Sequence, residues 1–243
     1  MNLSLKVAAC QETGVTRADG GKITEIRLSS VEKRLYWHWL GLLPYCDARK
    51  IQELTVAARL SGASSDTVYT CEHPPTVTRG KRGGAGDLLE GLESFQKRGI
   101  EIVDTDRGGG ATYHGPGQLL IYPVLSLRER NIGVRKFVEC GLSALGEVLS
   151  VIGLRPEISF SKPGIWVAGR KIASVGLHFR HGISDHGFAL NIRGDVSPFE
   201  LIVVCGESAT VATSIERETG TTNSRLFEDI EALVQNSWNK AFP

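Results

Sequence analysis

Cys205 is the residue best suited to form a covalent intermediate. A thiol is a strong nucleophile towards acyl groups once it has lost its proton. Four aliphatic residues, 201–204, precede Cys205, and Gly206 follows it. This pattern predicts the end of a strand, where a turn exposes the sulfur and a backbone N–H can face an oxyanion. The alternative is a structural role, because free cysteine is commonly a small buried hydrophobic residue.

Lys171 is the candidate base. Residues 171–176 alternate in a way that predicts a strand with two faces. The small residues Ala173, Ser174 and Gly176 would let a ligand approach the backbone of that strand. A lysine beside a dry pocket loses its proton more easily and can then accept one from a thiol. The alternative is a solvated lysine on the surface.

Residues 106–117, DRGGGATYHGPG, are the densest glycine stretch in the chain. Consecutive glycines allow backbone N–H groups to converge on a ligand. The stretch matches neither the GxxxxGKS/T nor the GxGxxG nucleotide pattern, and a strand follows it instead of a helix. It therefore predicts a binding loop of another kind, with Thr112, Tyr113 and His114 lining a pocket. For His114 the alternative is a structural histidine bonded to the loop backbone.

Three histidines, His178, His181 and His186, raise the question of a metal site. In a strand, positions 178 and 181 point to opposite faces, so they would not share a ligand. No carboxylate is placed clearly to complete a ligand set. We therefore expect no metal and no other cofactor.

The hydrophobic and charged contents are ordinary for a globular protein, whereas the 28 glycines are well above the usual share of about 7%. A chain of 243 residues has room for one large domain or two small ones. A net charge of +1 argues against a general nucleic-acid or membrane-surface binder. Five cysteines without CxxC spacing argue against a disulfide framework and predict a cytoplasmic protein. The N-terminus resembles neither a signal nor a transit peptide, and no segment approaches the roughly 18 apolar residues of a membrane span.

Strands mixed with a few long helices must position these residues. The pattern predicts an α/β or α+β fold with a mixed β-sheet flanked by helices, in a single domain over residues 23–243. Residues 1–22 are polar and small and predict a flexible N-terminal extension. Strands are predicted at 35–40, 67–71, 101–104, 118–125, 164–167, 172–180 and 188–192. Helices are predicted at 47–60, 134–152, 207–216 and 223–240.

Four blocks in order resemble one family, the lipoyl(octanoyl) transferases, also called octanoyl-acyl carrier protein:protein octanoyltransferases. The blocks are EHPP with TRG (72–75, 78–80), DRGGGATYHGPGQ (106–118), GRKIASVG (169–176), and HGFALN with SPF and CG (186–191, 197–199, 205–206). The resemblance runs from about Leu35 to Ile215. It departs just before the cysteine, where the family commonly has Asn-Pro and this chain has Val203-Val204.

The resemblance implies a biotin/lipoate protein ligase-like catalytic domain. It implies that Cys205 carries the acyl group and that Lys171 lowers the pKa of its thiol. It also implies that three segments surround the acyl chain. These segments contain Arg107, Gly108, Gly109, Gly110, Ala111, Thr112, Tyr113, His114, Ser174, Val175, Gly176, Gly187, Phe188 and Ala189.

The implied reaction moves an octanoyl group from octanoyl-acyl carrier protein to a lysine of an apo lipoyl domain, as the first step of lipoate biosynthesis. The implied acceptors are lipoyl domains of 2-oxoacid dehydrogenase E2 subunits and the glycine cleavage H protein. We expect neither a nucleic acid nor a membrane partner. Two basic clusters could receive the acidic carrier. They are Arg79, Lys81 and Arg82, and Arg128, Arg130, Arg135 and Lys136.

Two other functions compete with this interpretation. An ATP-dependent lipoate or biotin ligase of the same fold would activate its substrate as an adenylate and would need no cysteine. The glycine after Cys205 and the lack of a recognisable nucleotide loop argue against it. A non-catalytic module that binds acyl groups or acyl carriers is the second alternative. The match of both Lys171 and Cys205 to the family argues against that.

Overall fold

A mixed β-sheet forms the centre of the fold. The computed structural model describes residues 34–203 and 211–243, and within them this sheet has seven strands. In chain order the strands of the protein are β1 (Tyr36–Leu42), β2 (Thr67–Glu72), β3 (Thr76–Arg79), β4 (Glu101–Asp104), β5 (Ala111–His114), β6 (Gln118–Val124), β7 (Pro156–Ser159), β8 (Gly164–Val167), β9 (Arg170–Arg180) and β10 (Ile183–Asn191). The large sheet has the order β1-β2-β6-β10-β9-β8-β7. Its β1–β2 pair is parallel, and its other pairs are antiparallel.

Strands β4, β3 and β5 form a smaller sheet in the described part of the chain. Its apolar side packs around Phe95 and Phe199. Strand β5 is the second half of the glycine-rich segment, and it pairs antiparallel with β3. The small sheet therefore holds residues 105–110, which connect β4 to β5, as a loop anchored at both ends.

Helices cover both faces of the large sheet. The helices of the described residues are α1 (Tyr45–Leu60), α2 (Leu92–Lys97), α3 (Val134–Val151), α4 (Ile215–Thr219) and α5 (Leu226–Ala241), of which α2 packs on the small sheet instead. On one face, α3 and α5 bury Phe137, Leu145 and Trp238 against Ile121 and Phe188. This is the main hydrophobic core.

The opposite face of the sheet packs against α1. Successive strand residues point to opposite faces, so β6 turns Leu119 towards α3 and α5 but Leu120 and Tyr122 towards α1. Ala48 of α1 packs with Leu120 and Ala189. The small side chains of β9 and β10 lie on this same face, and they leave space beside the helix.

The predicted mixed sheet with flanking helices agrees with this architecture. Strands β4 and β8 have the predicted bounds, whereas β3, β5, β7 and α2 were not predicted. Strand β10 begins five residues before the predicted start at 188. Its first residues, Ile183 to Gly187, mix charged and apolar side chains, which hides the strand pattern.

The predicted helix at 207–216 is wrong over residues 211–214, and α4 begins only at Ile215. Ala212 forms a parallel bridge with Lys171 instead. The hydrogen bonds to the neighbouring strand outweigh local helical preference there.

Four sequence predictions lie outside the described residues: the flexible extension over 1–22, the domain boundary between residues 22 and 23, the strand end at Cys205, and the helix over 207–210. Among the helices of the described ranges, none is both long and apolar enough to cross a membrane.

Candidate active site

A cleft lies on the α1 face of the large sheet, beneath residues 107–114. Its floor is made of cross-strand rows of small residues. Ser174 pairs with Ala189 in one row, and Gly176 pairs with Gly187 in the next. Because these side chains are short or absent, the backbone itself forms the floor. The cleft and the open solvent at its mouth together make up about 520 Å³ not occupied by protein atoms.

All predicted acyl-binding residues except Gly108 and Tyr113 line this cleft. The Tyr113 ring packs edge-on against Phe199 in the core of the small sheet. The Gly108 N–H donates to the Leu177 carbonyl at 2.9 Å and so ties the loop to β9. These two residues support the loop, and the acyl-binding role of the others stays a prediction.

Four further residues line the cleft without having been predicted to do so: Tyr45, Leu120, Tyr122 and His186. Leu120 and Tyr122 were visible only as part of a buried strand, and the face they occupy depends on register. Tyr45 opens a helix far upstream in the chain and belongs to no motif. His186 begins a matching block, but it was considered only as a metal ligand.

Lys171 lies on β9 three residues before Ser174, which corresponds to about 10 Å along a strand. It is not part of the cleft lining. Its side chain is buried, with Nζ 5.1 Å from the centre of the Trp166 ring. The Lys171 N–H donates to the Val211 carbonyl at 2.8 Å, and the Lys171 carbonyl accepts from the Thr213 N–H at 2.9 Å.

Both flanks of residues 204–210 are hydrogen-bonded to the site. On the C-terminal side, Val211 is held by Lys171, as described above. On the N-terminal side, the Val203 N–H donates to the Asp87 carbonyl at 2.8 Å. The carboxylate of Asp87 accepts from the Ala111 N–H at 3.0 Å, and Ala111 lines the cleft. The described residues on either side of 204–210 are therefore hydrogen-bonded to the strand of the candidate base and, through Asp87, to the loop that lines the cleft.

His114 is held neutral in the cleft wall. Burial, helped by the neighbouring His73, lowers the pKa of His114 to about 3. Its Nδ1 lies 2.7 Å from Gln118 Oε1, and its Nε2 lies 3.3 Å from Thr78 Oγ1. With both ring nitrogens occupied by protein groups, the structural alternative for His114 is favoured over general-base catalysis.

A second histidine, His186, lines the cleft at its edge with α1. Its Nε2 lies 2.7 Å from Asp106 Oδ1, and its Nδ1 lies 3.2 Å from the Tyr45 hydroxyl. Burial lowers the pKa of His186 to about 4, so it is neutral and donates from Nε2. Partial burial raises the pKa of Asp106, but hydrogen bonds from His186 and Arg180 hold it well below its usual range.

Asp106, His178 and Asp185 offer ligand atoms within 4.8 Å of one another. The expectation that no carboxylate accompanies these histidines was therefore wrong. Long-range pairing of β9 with β10 brings Asp185 opposite His178. Arg49 and Arg180 contact both carboxylates at 2.9–3.3 Å. Two guanidinium groups neutralise two carboxylates, so the cluster fits an ion-pair brace between α1 and the β9–β10 hairpin better than a cation site.

Comparison with known proteins decides the family. Residues 44–236 match the model of the lipoyl protein ligase A/B catalytic domain. The chain belongs to this family. An octanoyltransferase of Desulfotalea psychrophila is 41% identical over 185 residues, which are 75% of this chain and 83% of that protein. The mitochondrial octanoyltransferase LIP2 of Arabidopsis thaliana is 39% identical over 183 residues, covering 75% and 78% of the two chains.

The fold is also found in a solved structure. A lipoate-protein ligase A bound with ATP aligns with a TM-score of 0.66 at 16% identity, over 86% of this chain and 84% of the other. At this identity the likeness supports the lipoate-ligase fold alone. Together the matches confirm the predicted family and fold, and an enzyme that transfers octanoyl groups in lipoate biosynthesis. Such an enzyme has an acyl donor and a lipoyl-domain acceptor.

Within this family fold, the two predicted basic clusters differ in position. Lys81 and Arg82 are exposed. Their main-chain N–H groups donate to the carbonyls of Arg107 and Gly109, which belong to the loop over the cleft, called the cleft loop below. Arg130 of the second cluster is not on the surface. It is buried, and it donates to Asp66 and to the carbonyl oxygens of Phe242 and Pro243. Arg130 is thus unsuited to docking, because it already closes an internal ion pair.

Proposed function

We propose that the chain transfers octanoyl groups through a thioester on Cys205, with Lys171 as the base. The observation that carries the proposal is the pairing of Lys171 with residues 211–213. This contact fixes the main chain that follows the cysteine segment beside a buried lysine. The nearby cleft, with its floor of small residues, has the form needed for an unbranched acyl chain.

In the first half-reaction, Lys171 accepts the proton of the Cys205 thiol or stabilises the thiolate as an ion pair. The thiolate attacks the carbonyl carbon of the octanoyl thioester. The carrier's thiol leaves with the proton held by Lys171, and the octanoyl group remains on Cys205. Backbone N–H groups would hold the oxyanion, a role worth about 3–4 kcal/mol for each donor.

In the second half-reaction, the amine of an acceptor lysine attacks the Cys205 thioester. The C–S bond breaks as an amide forms, and the amine proton returns to the thiolate–lysine pair. Conversion of a thioester to an amide is downhill, so the chemistry requires neither ATP nor a metal. The two half-reactions share one covalent intermediate, which gives ping-pong kinetics.

The acyl chain would lie over the Ser174–Ala189 and Gly176–Gly187 rows. Leu120 and Val175 add apolar surface to the same cleft. Each buried methylene contributes about 0.8 kcal/mol, so the length of this apolar floor sets the preferred chain. We propose that this is the origin of a preference for eight carbons.

We propose octanoyl-acyl carrier protein as the donor, and lipoyl domains of 2-oxoacid dehydrogenase E2 subunits and the glycine cleavage H protein as acceptors. Of the two basic clusters, Lys81 and Arg82 are the better docking site for an acidic carrier, since their loop is bonded to the cleft loop. Cysteines without disulfide spacing support a reducing compartment, and we propose the cytoplasm.

Intact-mass measurement after incubation with octanoyl-acyl carrier protein tests the proposal. The expected result is a gain of one octanoyl group, released by hydroxylamine and absent from the Cys205→Ala variant. Cys46→Ala is the matched control, because Cys46 is an exposed thiol outside the matching motifs and its loss should leave the adduct unchanged. A transfer that requires ATP and leaves no adduct would favour the ligase alternative instead.

A further inference from the structure

A continuous row of buried hydrogen bonds joins the cleft loop to the strand of Lys171. Its members, each at most 7% exposed, are Arg107, Thr78, His114, Gln118, Asn191, Thr213 and Lys171. We call this row the buried polar chain. It links the wall of the cleft to the segment that flanks residues 204–210.

Gln118 sets the direction of the first half of the buried polar chain. One Gln118 side-chain atom lies 3.1 Å from the Tyr113 carbonyl oxygen, which can only accept, so this atom is Nε2. Oε1 therefore faces His114, and Nδ1 of His114 must carry the proton. The other ring nitrogen accepts from the hydroxyl of Thr78, whose oxygen accepts in turn from the guanidinium of Arg107.

Asn191 sets the direction of the second half. Its Nδ2 lies 2.9 Å from the Thr213 carbonyl oxygen, again a group that can only accept. Its Oδ1 therefore accepts from Gln118 Nε2 at 2.8 Å. The Thr213 N–H then donates to the Lys171 carbonyl. From Arg107 to the Thr213 carbonyl oxygen every bond of the row points the same way, and bonds aligned in this way polarise and strengthen one another. The Thr213 N–H belongs to the preceding peptide group, so its bond to Lys171 holds the main chain without extending this alignment.

The two amides occupy a row of the large sheet between the cleft floor and Lys171. Gln118 pairs with Asn191 across β6 and β10, two residues beyond Leu120 and Ala189. Neither amide lines the cleft, so neither contacts the acyl chain. Because a buried polar group is costly to leave unpaired, these bonds oppose any shift of residues 211–213 relative to the cleft loop.

We propose that Gln118 and Asn191 are positioning residues for acyl transfer. They hold the main chain at Thr213, and through it the backbone of Lys171, in register with the acyl cleft. This inference rests on the proposed function, in which Lys171 serves the Cys205 thiol. A disturbed register would change how strongly the lysine favours the thiolate, and so would change the pH at which the thiol ionises.

Two Asn191 variants test the proposal. Asn191→Leu removes both bonds at nearly constant volume and should slow formation of the acyl-enzyme by about tenfold or more, since two buried hydrogen bonds are lost and their partners are left unpaired. Asn191→Asp keeps the acceptor for Gln118 but can donate to Thr213 only when protonated. Its rate relative to the unmodified protein should therefore recover as the pH falls, whereas that of Asn191→Leu should not.

The decisive readout is the pH midpoint for alkylation of Cys205, followed by peptide mass. Both Asn191 variants should shift this midpoint upwards relative to the unmodified protein. Thr70→Val is the matched control, because Thr70 is a fully buried residue of the same sheet whose hydroxyl bonds Glu231 away from the buried polar chain. It should lower the unfolding temperature comparably and leave the midpoint unchanged.

Two results would contradict the inference. One is an unchanged alkylation midpoint and an unchanged acylation rate in both Asn191 variants. The other is an equal midpoint shift in Thr70→Val, which would make the effect a general loss of stability. Failure of the proposed function is distinguishable, because the unmodified protein would then form no octanoyl adduct on Cys205 at all.

Discussion

The side chain of Arg107 lies directly over Gly176. A Cβ atom at Gly176 would stand 3.0 Å from Cδ of Arg107 and 3.1 Å from the Gly108 carbonyl oxygen. The loop over the cleft and the floor beneath it therefore meet at a position where only glycine fits without displacement. Arg107 is fixed from the other side, since its guanidinium donates to the carbonyl and hydroxyl of Thr78.

We expect Gly176→Ala to weaken octanoyl transfer by displacing Arg107. Overpacking of this kind typically costs about 1–3 kcal/mol, and here it falls on the cleft itself. The variant should raise KM for the octanoyl donor markedly and lower the unfolding temperature only slightly. Gly91→Ala is the matched control, because Gly91 has an ordinary negative φ and no atom lies within 4 Å of the added Cβ. Equal transfer kinetics in Gly176→Ala and the unmodified protein would contradict this role of the contact.

Ala189→Leu should shorten the preferred acyl chain. The added side chain would fill the floor beside Leu120 and leave room for fewer methylene groups. Each buried methylene contributes about 0.8 kcal/mol, and the leucine side chain would displace about two methylenes of the acyl chain. The preference for octanoyl over butanoyl donors should therefore fall by about tenfold or more. Competition between the two donors, followed by mass spectrometry of the acyl-enzyme, measures the ratio. An unaltered ratio in a folded variant would remove Ala189 from the acyl site.

Charge reversal should separate the two basic clusters. Lys81→Glu combined with Arg82→Glu should slow transfer from an acidic carrier at low salt, and the difference should shrink as salt is added. Arg135→Glu combined with Lys136→Glu is the matched control, because these residues are equally exposed but lie at the start of α3. Initial rates at several carrier and salt concentrations give the comparison. A slower rate only in the control pair would assign the carrier to α3.

Removal of the Asp66 carboxylate should destabilise the protein by about 3–5 kcal/mol, because two buried guanidinium groups would lose the buried carboxylate that they share. Asp66 accepts from Arg59 at 2.8 Å and from Arg130 at 2.6 Å. Asp104→Ala, which breaks an exposed ion pair with Arg79, should cost at most about 1 kcal/mol. Urea unfolding of Asp66→Ala and Asp104→Ala measures both values. A similar decrease in the free energy of unfolding in both variants would contradict the expectation that the buried carboxylate of Asp66 contributes more to stability than the exposed one of Asp104.

Stability should fall as the pH is lowered below about 6.5. The pKa values of His114 and His186 are lowered to about 3 and about 4 in the folded protein. Between these values and the ordinary histidine pKa, the unfolded chain binds more protons, so acid favours unfolding. Each histidine should contribute a loss of at most about 2 kcal/mol between pH 6.5 and pH 5.

Urea unfolding of His186→Asn at both pH values checks the contribution of this histidine. The substitution should reduce the pH dependence, while His38→Asn, at an exposed histidine of β1, should retain it. A pH dependence that is identical in His186→Asn and the unmodified protein would show that the buried histidine is not its source.

The sequence predicted those parts of the site that depend on local pattern. The alternation around Lys171 and the glycines of 106–117 indicated a strand and a loop, and both now border one cleft. Tyr45 could not be found this way, because its place in the cleft depends on how α1 packs across the sheet. The pairing of His178 with Asp185 likewise depends on a hairpin register that was predicted only in part.

At residues 211–213 tertiary contacts outweigh the helical preference of the local sequence. The sequence favoured a helix there, but the main-chain bonds to Lys171 draw the segment alongside β9. These same bonds support Lys171 as the base of the reaction. A wrong secondary-structure prediction thus coincides with a contact on which the proposed mechanism depends.

Transfer from the isolated acyl-enzyme tests the central claim most directly. Octanoyl-enzyme, freed of carrier protein, would be mixed with an apo lipoyl domain in the absence of ATP. We predict that the octanoyl group leaves Cys205 and appears on one lysine of the domain, at a rate no slower than steady-state turnover. An acyl-enzyme that stays intact on this timescale, while the complete reaction proceeds, would contradict a thioester intermediate on Cys205.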